Sequence, residues 1–194
     1  MDYQGQKLSS YYVWLFLFYS IIGWLYEVVL AFIYGYGFVN RGFLFGPYLP
    51  LYGTGALLLI ILLQGLMKRD LRAGRLKITP GIVFLSIIGV TTALEYAVGW
   101  FLETVFDQRF WDYSTYRYQL HGRISLSASI RFGFGGMLFL YLLLPVFIKV
   151  IGKIPQKQRF VLSVCIIGLL IADLIATLYI SSQYGFDPVL AQPR

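Results

Sequence analysis

The chain has 194 residues, of which 58% are hydrophobic and 13% charged, and its formal net charge is +7. Soluble domains carry about 25% charged residues, so the composition excludes an ordinary water-soluble globule. It leaves an all-α polytopic membrane bundle, read by length as a single domain over 1–194. The positive charge does not point to nucleic acid, because Lys and Arg sit in short loops between apolar runs, as the positive-inside rule expects.

In chain order, Met1 to Ser10 is a short polar lead. The first helix is expected over Tyr11 to Tyr34; it is too long for the apolar core of a signal peptide and no small-residue cleavage site follows it. Gly35, Gly37, Gly42 and Gly46 break the chain into a loop. A second helix runs from about Tyr48 to Met67, with Pro47 and Pro50 near its first turn, where Pro is tolerated. After a basic loop holding Lys68, Arg69, Arg72, Arg75 and Lys77, the third helix covers Pro80 to Phe106. A polar and aromatic loop, Asp107 to Arg123, leads into a fourth helix over Ile124 to Ile148. A second basic loop with Lys149, Lys153, Lys157 and Arg159 precedes the fifth, Phe160 to Ser182. The apolar runs are about 20 residues long, enough to cross a bilayer. With five spans, both basic loops and the amino terminus share one side. That side is expected to be cytoplasmic, which puts the carboxyl terminus outside.

Gly23-Trp24-Leu25-Tyr26-Glu27 and Gly99-Trp100-Phe101-Leu102-Glu103 align, and the spacings of Gly42, Gly53 and Gly55 match those of Gly122, Gly133 and Gly135. This predicts a parallel repeat of two hairpins, about 11–67 and 80–148, with a fifth helix at about 160–182.

Ionisable residues inside membrane helices are costly and usually face protein or a water-filled cavity. Glu27, Glu95, Glu103, Arg131 and Asp173 fall within the apolar runs. At ~1.5 Å rise per residue, Glu27 and Arg131 lie ~10 Å, Asp173 ~13 Å and Glu95 ~16 Å from the outer ends of their helices, and Glu103 within a turn of its own. The charges thus sit at middle or outer depth, which predicts a cavity open toward the outer face. Glu95, Gly99 and Glu103 share one side of their helix at a spacing of four, as do Gly23 and Glu27. Arg131 is the expected internal counter-ion; the alternative is a set of ion pairs that only fix packing. Asn40, Arg41, Tyr52, Trp111, Asp112, His121 and Arg123 are the expected lining from the loops and helix ends. His121 is the only histidine, and a plain loop residue is the alternative to a metal ligand. Cys165 is the only cysteine, so neither an intramolecular disulfide nor a multi-cysteine metal site can form. No cofactor is evident, and no GxxxxGK[ST], GxSxG or HExxH pattern is present.

The run Gly23-Trp24-Leu25-Tyr26-Glu27-Val28-Val29-Leu30, followed by Asn40-Arg41-Gly42-Phe43-Leu44-Phe45-Gly46-Pro47-Tyr48, resembles the opening of a bacterial membrane family, the ABC-transporter type IV or CmpB-like permeases. Trp111-Asp112-Tyr113-Ser114, His121-Gly122-Arg123 and Asp173 are similar to that family too, so the resemblance extends from Gly23 to Asp173. It implies a permease-like component of the bacterial cytoplasmic membrane with an ATPase encoded elsewhere. Five helices are few for an ABC permease, so a homo-oligomer among membrane lipids is expected. The leading expectation is a transport component that binds a small polar or amphipathic solute or ion. The alternatives are an integral membrane enzyme acting on a lipid or lipid-linked substrate by general acid–base chemistry, and a sensor or accessory subunit that transports nothing.

Overall fold

The computed structural model describes residues 2–3, 6–7, 11–38, 40, 42, 44–107 and 109–184. Its helices are α1 (Tyr12–Ile33), α2 (Pro50–Met67), α3 (Thr79–Phe106), α4 (Leu126–Leu138), α5 (Leu144–Ile151) and α6 (Gln156–Tyr184). A π turn, Phe139–Leu143, joins α4 to α5, so that Leu126–Ile151 is one continuous span and five helices are long and apolar enough to cross a membrane. The fold is the expected all-α membrane bundle. The last helix starts at Gln156, ahead of the apolar run, because Pro155 marks its beginning.

Three two-residue antiparallel ladders close loops and build no sheet core. They are β1 (Asp2–Tyr3) with β2 (Gln6–Lys7), β3 (Arg72–Ala73) with β4 (Leu76–Lys77), and β5 (Gln119–Leu120) with β6 (Ile124–Ser125).

The π turn has a local cause. Pro145 has no N–H and its ring would press on the carbonyl one turn back. One widened turn absorbs this, and the Leu144 N–H bonds back to the Phe139 carbonyl. At the other end of the same span Ser125, in extended conformation, accepts from the Ala128 N–H and caps α4.

The chain divides into two compact units, 1–54 with 146–194, and 55–145. In the first, α1 buries Leu15, Tyr19, Gly23 and Ala31, a stripe at steps of four with Glu27 lying on it. The Cβ missing from Gly23 would strike the Tyr52 ring, and that missing from Gly53 would strike Ser20 Oγ and the Phe16 carbonyl, so α1 and the start of α2 meet closely. Trp14 Nε1 donates to Ser163 Oγ at 2.9 Å, tying α1 to α6. The Phe18 ring stacks on Phe147 at 4.9 Å, and Arg159 lies over buried Tyr11 at 4.4 Å.

In the second unit α3 buries Thr79, Val83, Ile87, Glu95 and Gly99, again at steps of four. Such a ridge is what one helix offers the groove of another. Helix α4 answers with small residues: Gly133 faces Phe84 and Ile88, Gly136 faces Ile87, and Thr92 Oγ1 donates to Ser129 Oγ at 2.7 Å. The Gly23/Gly99 alignment places Phe16 and Ser20 on Thr92 and Tyr96, yet Gly133 faces Phe84 and Ile88, two turns away. Gly53 and Gly133 therefore meet their neighbours at different levels.

A Cβ on Gly136 would lie 2.5 Å from Ile87 Cγ2 and 3.4 Å from Leu59 Cδ1, whereas Gly135 has nothing within 4 Å. Gly136→Leu is expected to destabilise the protein by about 1–3 kcal/mol through overpacking, and Gly135→Leu to leave it nearly unchanged. Thermal unfolding of the two variants in detergent, side by side, checks this.

Candidate functional site

The polar side chains of the first unit make two groups. Tyr52, laid across Gly23, brings its hydroxyl to Glu27 and donates to Oε1 at 2.6 Å. One turn away from that contact Trp24 Nε1 donates to Asn40 Oδ1 at 2.8 Å, and the same oxygen receives the Gly42 N–H at 3.2 Å. Asn40 thereby pins the loop to α1. Arg41, the cation expected beside it, lies outside the described residues.

The second group surrounds Asp173 of α6. Its carboxylate accepts the Tyr48 hydroxyl, the Gly46 N–H at 3.0 Å, the Phe45 N–H at 3.2 Å and the Thr177 hydroxyl at 3.3 Å. Two amides and two hydroxyls satisfy this carboxylate inside an apolar helix, with no ion pair to it among the described residues. Burial first, then the bond to Asp173, raises the Tyr48 hydroxyl above its ordinary titration range. Asp173 is thus the anchor of the Phe45-Gly46-Pro47-Tyr48 segment.

In the second unit Glu95 is buried, 5% exposed, in the middle of α3. Its Oε1 accepts the Tyr113 hydroxyl at 3.0 Å, so a residue of the loop after α3 reaches down to it. At the end of α3, Asp107 adopts a left-handed conformation and turns the chain back. Arg109 then meets Glu103, Nε to Oε1 at 2.5 Å, and Asp112, Nη1 to Oδ1 at 3.3 Å. Arg123 grips the other oxygen of Glu103 through Nε and Nη2, and its guanidinium lies 5.4 Å over the Tyr96 ring. The bond to Glu103 holds Arg123 firmly protonated, above its usual range. Trp111 Nε1 donates to the Arg123 carbonyl at 2.7 Å and closes the group.

His121 and Gly122 are the two central residues of a turn in which the Arg123 N–H bonds to the Leu120 carbonyl at 3.1 Å, and both have positive φ, 55° and 69°. That pair is what a tight hairpin turn demands. His121 Nδ1 lies 2.9 Å from the Tyr96 hydroxyl. Among the described residues no three His, Cys, Asp or Glu side chains converge as a metal site.

Gly99, Leu102, Glu103, Arg109, Phe110, Trp111 and Arg123 line a cleft of about 170 Å³ counted to its open mouth. Ligand pockets are commonly 300–1,000 Å³, so the cleft is too small for a solute of that class. The structure therefore gathers Glu103, Trp111, Asp112, His121 and Arg123 into one ion-paired loop cluster, and gives Glu27, Glu95 and Asp173 hydroxyl partners. Arg131 donates Nε to the Ser127 carbonyl at 3.3 Å.

Sequence reasoning undervalued Arg109 and Tyr96. Both depend on backbone turns: the Asp107 turn that doubles the chain back, and the His121–Gly122 turn that delivers Arg123. The His-Gly dipeptide was the available signal for the second. No signal in the sequence identifies the Phe45 and Gly46 amides as the partners of Asp173.

Residues 14–178 match the sequence profile of the family described as Putative ABC-transporter type IV, the CmpB family. The chain belongs to this family. The match takes in both units, including Glu27, Glu95, the Asp107–Arg123 loop and Asp173. No curated protein and no solved structure matches the chain. Family membership and five apolar helices make this a transport-related integral membrane protein.

Two predictions concern the loop cluster of this family member. The Ser114 N–H, then the Ser114 hydroxyl and Arg109, hold the Asp112 carboxyl below its ordinary value. A carboxyl depressed by folding contributes stability above its unfolded pKa of ~3.9, and that contribution is lost as pH falls below it. Hydrogen exchange of the Ser114 amide is therefore expected to be constant from neutral pH down to about 4, after correction for intrinsic rates, and to accelerate below that. Arg123→Lys keeps the charge but loses the two-pronged grip on Glu103 and the stacking on Tyr96. It is expected to lower the melting temperature.

Proposed function

We propose that the protein is a small permease-like transport component, and that Glu95 is the polar contact on which a small polar or amphipathic solute or an ion is bound. The observation that carries this reading is a carboxylate 5% exposed in the middle of a 28-residue apolar helix, joined by Tyr113 to the loop beyond that helix. An acid at that depth costs free energy that packing alone does not recover, and intramembrane acids mark ion and substrate paths. Its tie to the loop supplies a way for events at the membrane surface to reach mid-span. Glu27 with Tyr52 offers the same carboxylate–phenol chemistry in the other unit.

In this reading Asp173, Glu103, Arg109, Arg123 and Asp112 hold loops in place, and Arg131 and His121 supply polarity near the outer face. The energy comes from an ATPase on another chain, as the family description invites, with the protein acting as an oligomer. The two basic loops and the amino terminus lie on the cytoplasmic side of a bacterial membrane and the carboxyl terminus outside.

Purified protein in liposomes, with and without an ATPase that co-purifies with it, tests the reading through flux of protons, alkali cations and small amphipathic amines. Glu95→Gln is expected to lower the flux about tenfold or more, the consequence of losing a charged hydrogen-bonding group of ~1.5–3 kcal/mol. Equal flux in wild type and Glu95→Gln, with both proteins folded, rejects the assignment.

A further inference from the structure

The hairpin between α2 and α3 carries a concentration of charge that the transport reading leaves unused. Met67 ends one span and Thr79 begins the next, so residues 68–78 are held at the boundary of the bilayer. They include Lys68, Arg69, Arg72, Arg75 and Lys77 against one acid, Asp70. Even a fully extended half of this loop reaches only ~20 Å from the helix ends.

The segment is built to hold its shape. Gly74, at φ +63°, turns the chain between β3 and β4. Buried Thr79 clamps the base: its hydroxyl donates to the Arg69 carbonyl at 2.8 Å and accepts the Leu71 N–H at 2.9 Å, while the Ile78 N–H bonds the Leu71 carbonyl at 3.0 Å. Asp70 draws in Arg72 and Lys77, at 2.6 and 3.3 Å. Arg69 and Arg75 make no ion pair among the described residues, so their guanidinium groups are available to an external anion. Beside them Leu76, in β4, is 74% exposed, and Ile78, just after that strand, is 36% exposed.

We propose that this hairpin lies on the membrane surface and binds anionic phospholipid headgroups, with Arg69 and Arg75 on the phosphates and Leu76 seated among the upper acyl chains. The partner follows from charge and place together. Guanidinium groups pair with phosphate oxygens in a planar, two-pronged geometry, and basic segments beside a span are drawn to anionic lipid. An exposed leucine within the same short loop finds its apolar surroundings at the interface that the loop cannot leave. The inference is independent of the transport reading, since it concerns neither Glu95 nor flux.

The test places an environment-sensitive fluorophore on the full-length Leu76→Cys protein, in a Cys165→Ser background, reconstituted in phosphatidylcholine vesicles with or without phosphatidylglycerol. The expected result is a blue-shifted emission with phosphatidylglycerol that reverts in high salt. The apparent affinity for phosphatidylglycerol is expected to fall about fivefold for each of Arg69→Gln and Arg75→Gln. Both replacements are at exposed positions and leave the fold intact, which circular dichroism of the same samples verifies. Identical emission in neutral and anionic vesicles overturns the proposal. A blue shift that requires an added soluble protein also overturns it, and makes the hairpin a protein-docking element instead.

Discussion

A carboxylate on a long apolar helix has to find hydrogen-bond donors within the protein, and this requirement ties the elements of the structure together. Three of the four acids in the spans meet it with tyrosine hydroxyls: Glu27 with Tyr52, Glu95 with Tyr113 and Asp173 with Tyr48. In each case the tyrosine comes from a different element than the acid. Satisfying the charge and joining two parts of the chain are therefore one event. Glu103, at the end of α3, is matched by arginines. The phenol is a sensible donor at depth, because it brings a hydroxyl on a largely apolar ring and adds no second charge that must itself be solvated.

Helix packing is subordinate to the same constraint. Bilayer lipid is as apolar as the helices, so burial of apolar area does not draw spans together as it does in water. Close approach takes over, and four glycines sit where it happens: Gly23 under Tyr52, Gly53 against Ser20, Gly133 and Gly136 against the ridge of α3. Gly23 shows the two effects acting together. Its missing side chain is the space that Tyr52 occupies, and from that space the hydroxyl reaches Glu27.

Much of this was legible in the sequence and some was not. Five apolar runs gave five spans, because length and hydropathy alone decide what can cross a bilayer. The steps of four from Gly23 to Glu27 and from Glu95 to Glu103 placed the acids correctly on stripes with small residues, since helical periodicity is a local property. The partners of the acids were not legible, being settled by turns whose geometry no composition encodes. Asp107 in a left-handed conformation returns Arg109 to Glu103, and two amides of an irregular segment find Asp173. The repeat was legible as matching glycines, but a glycine permits close approach at its own level without choosing the level. Gly53 and Gly133 meet their neighbours at levels two turns apart.

The stripe on α3 has a mechanical side. Thr79, Val83, Ile87, Thr91, Glu95, Gly99 and Glu103 recur every four residues, so the spacing of the ridge they form repeats under a slide of ~6 Å, a little more than one turn. A neighbouring helix would meet much the same relief after such a slide, and steric fit by itself would hold the register only weakly. Glu95 breaks the degeneracy. It is the one buried tooth that bears a carboxyl, and its bond to Tyr113 indexes the helix to the loop, as a detent fixes one position of a sliding bolt. A rack with a single buried carboxyl has one rest position, set by the partner of that carboxyl and not by the relief around it.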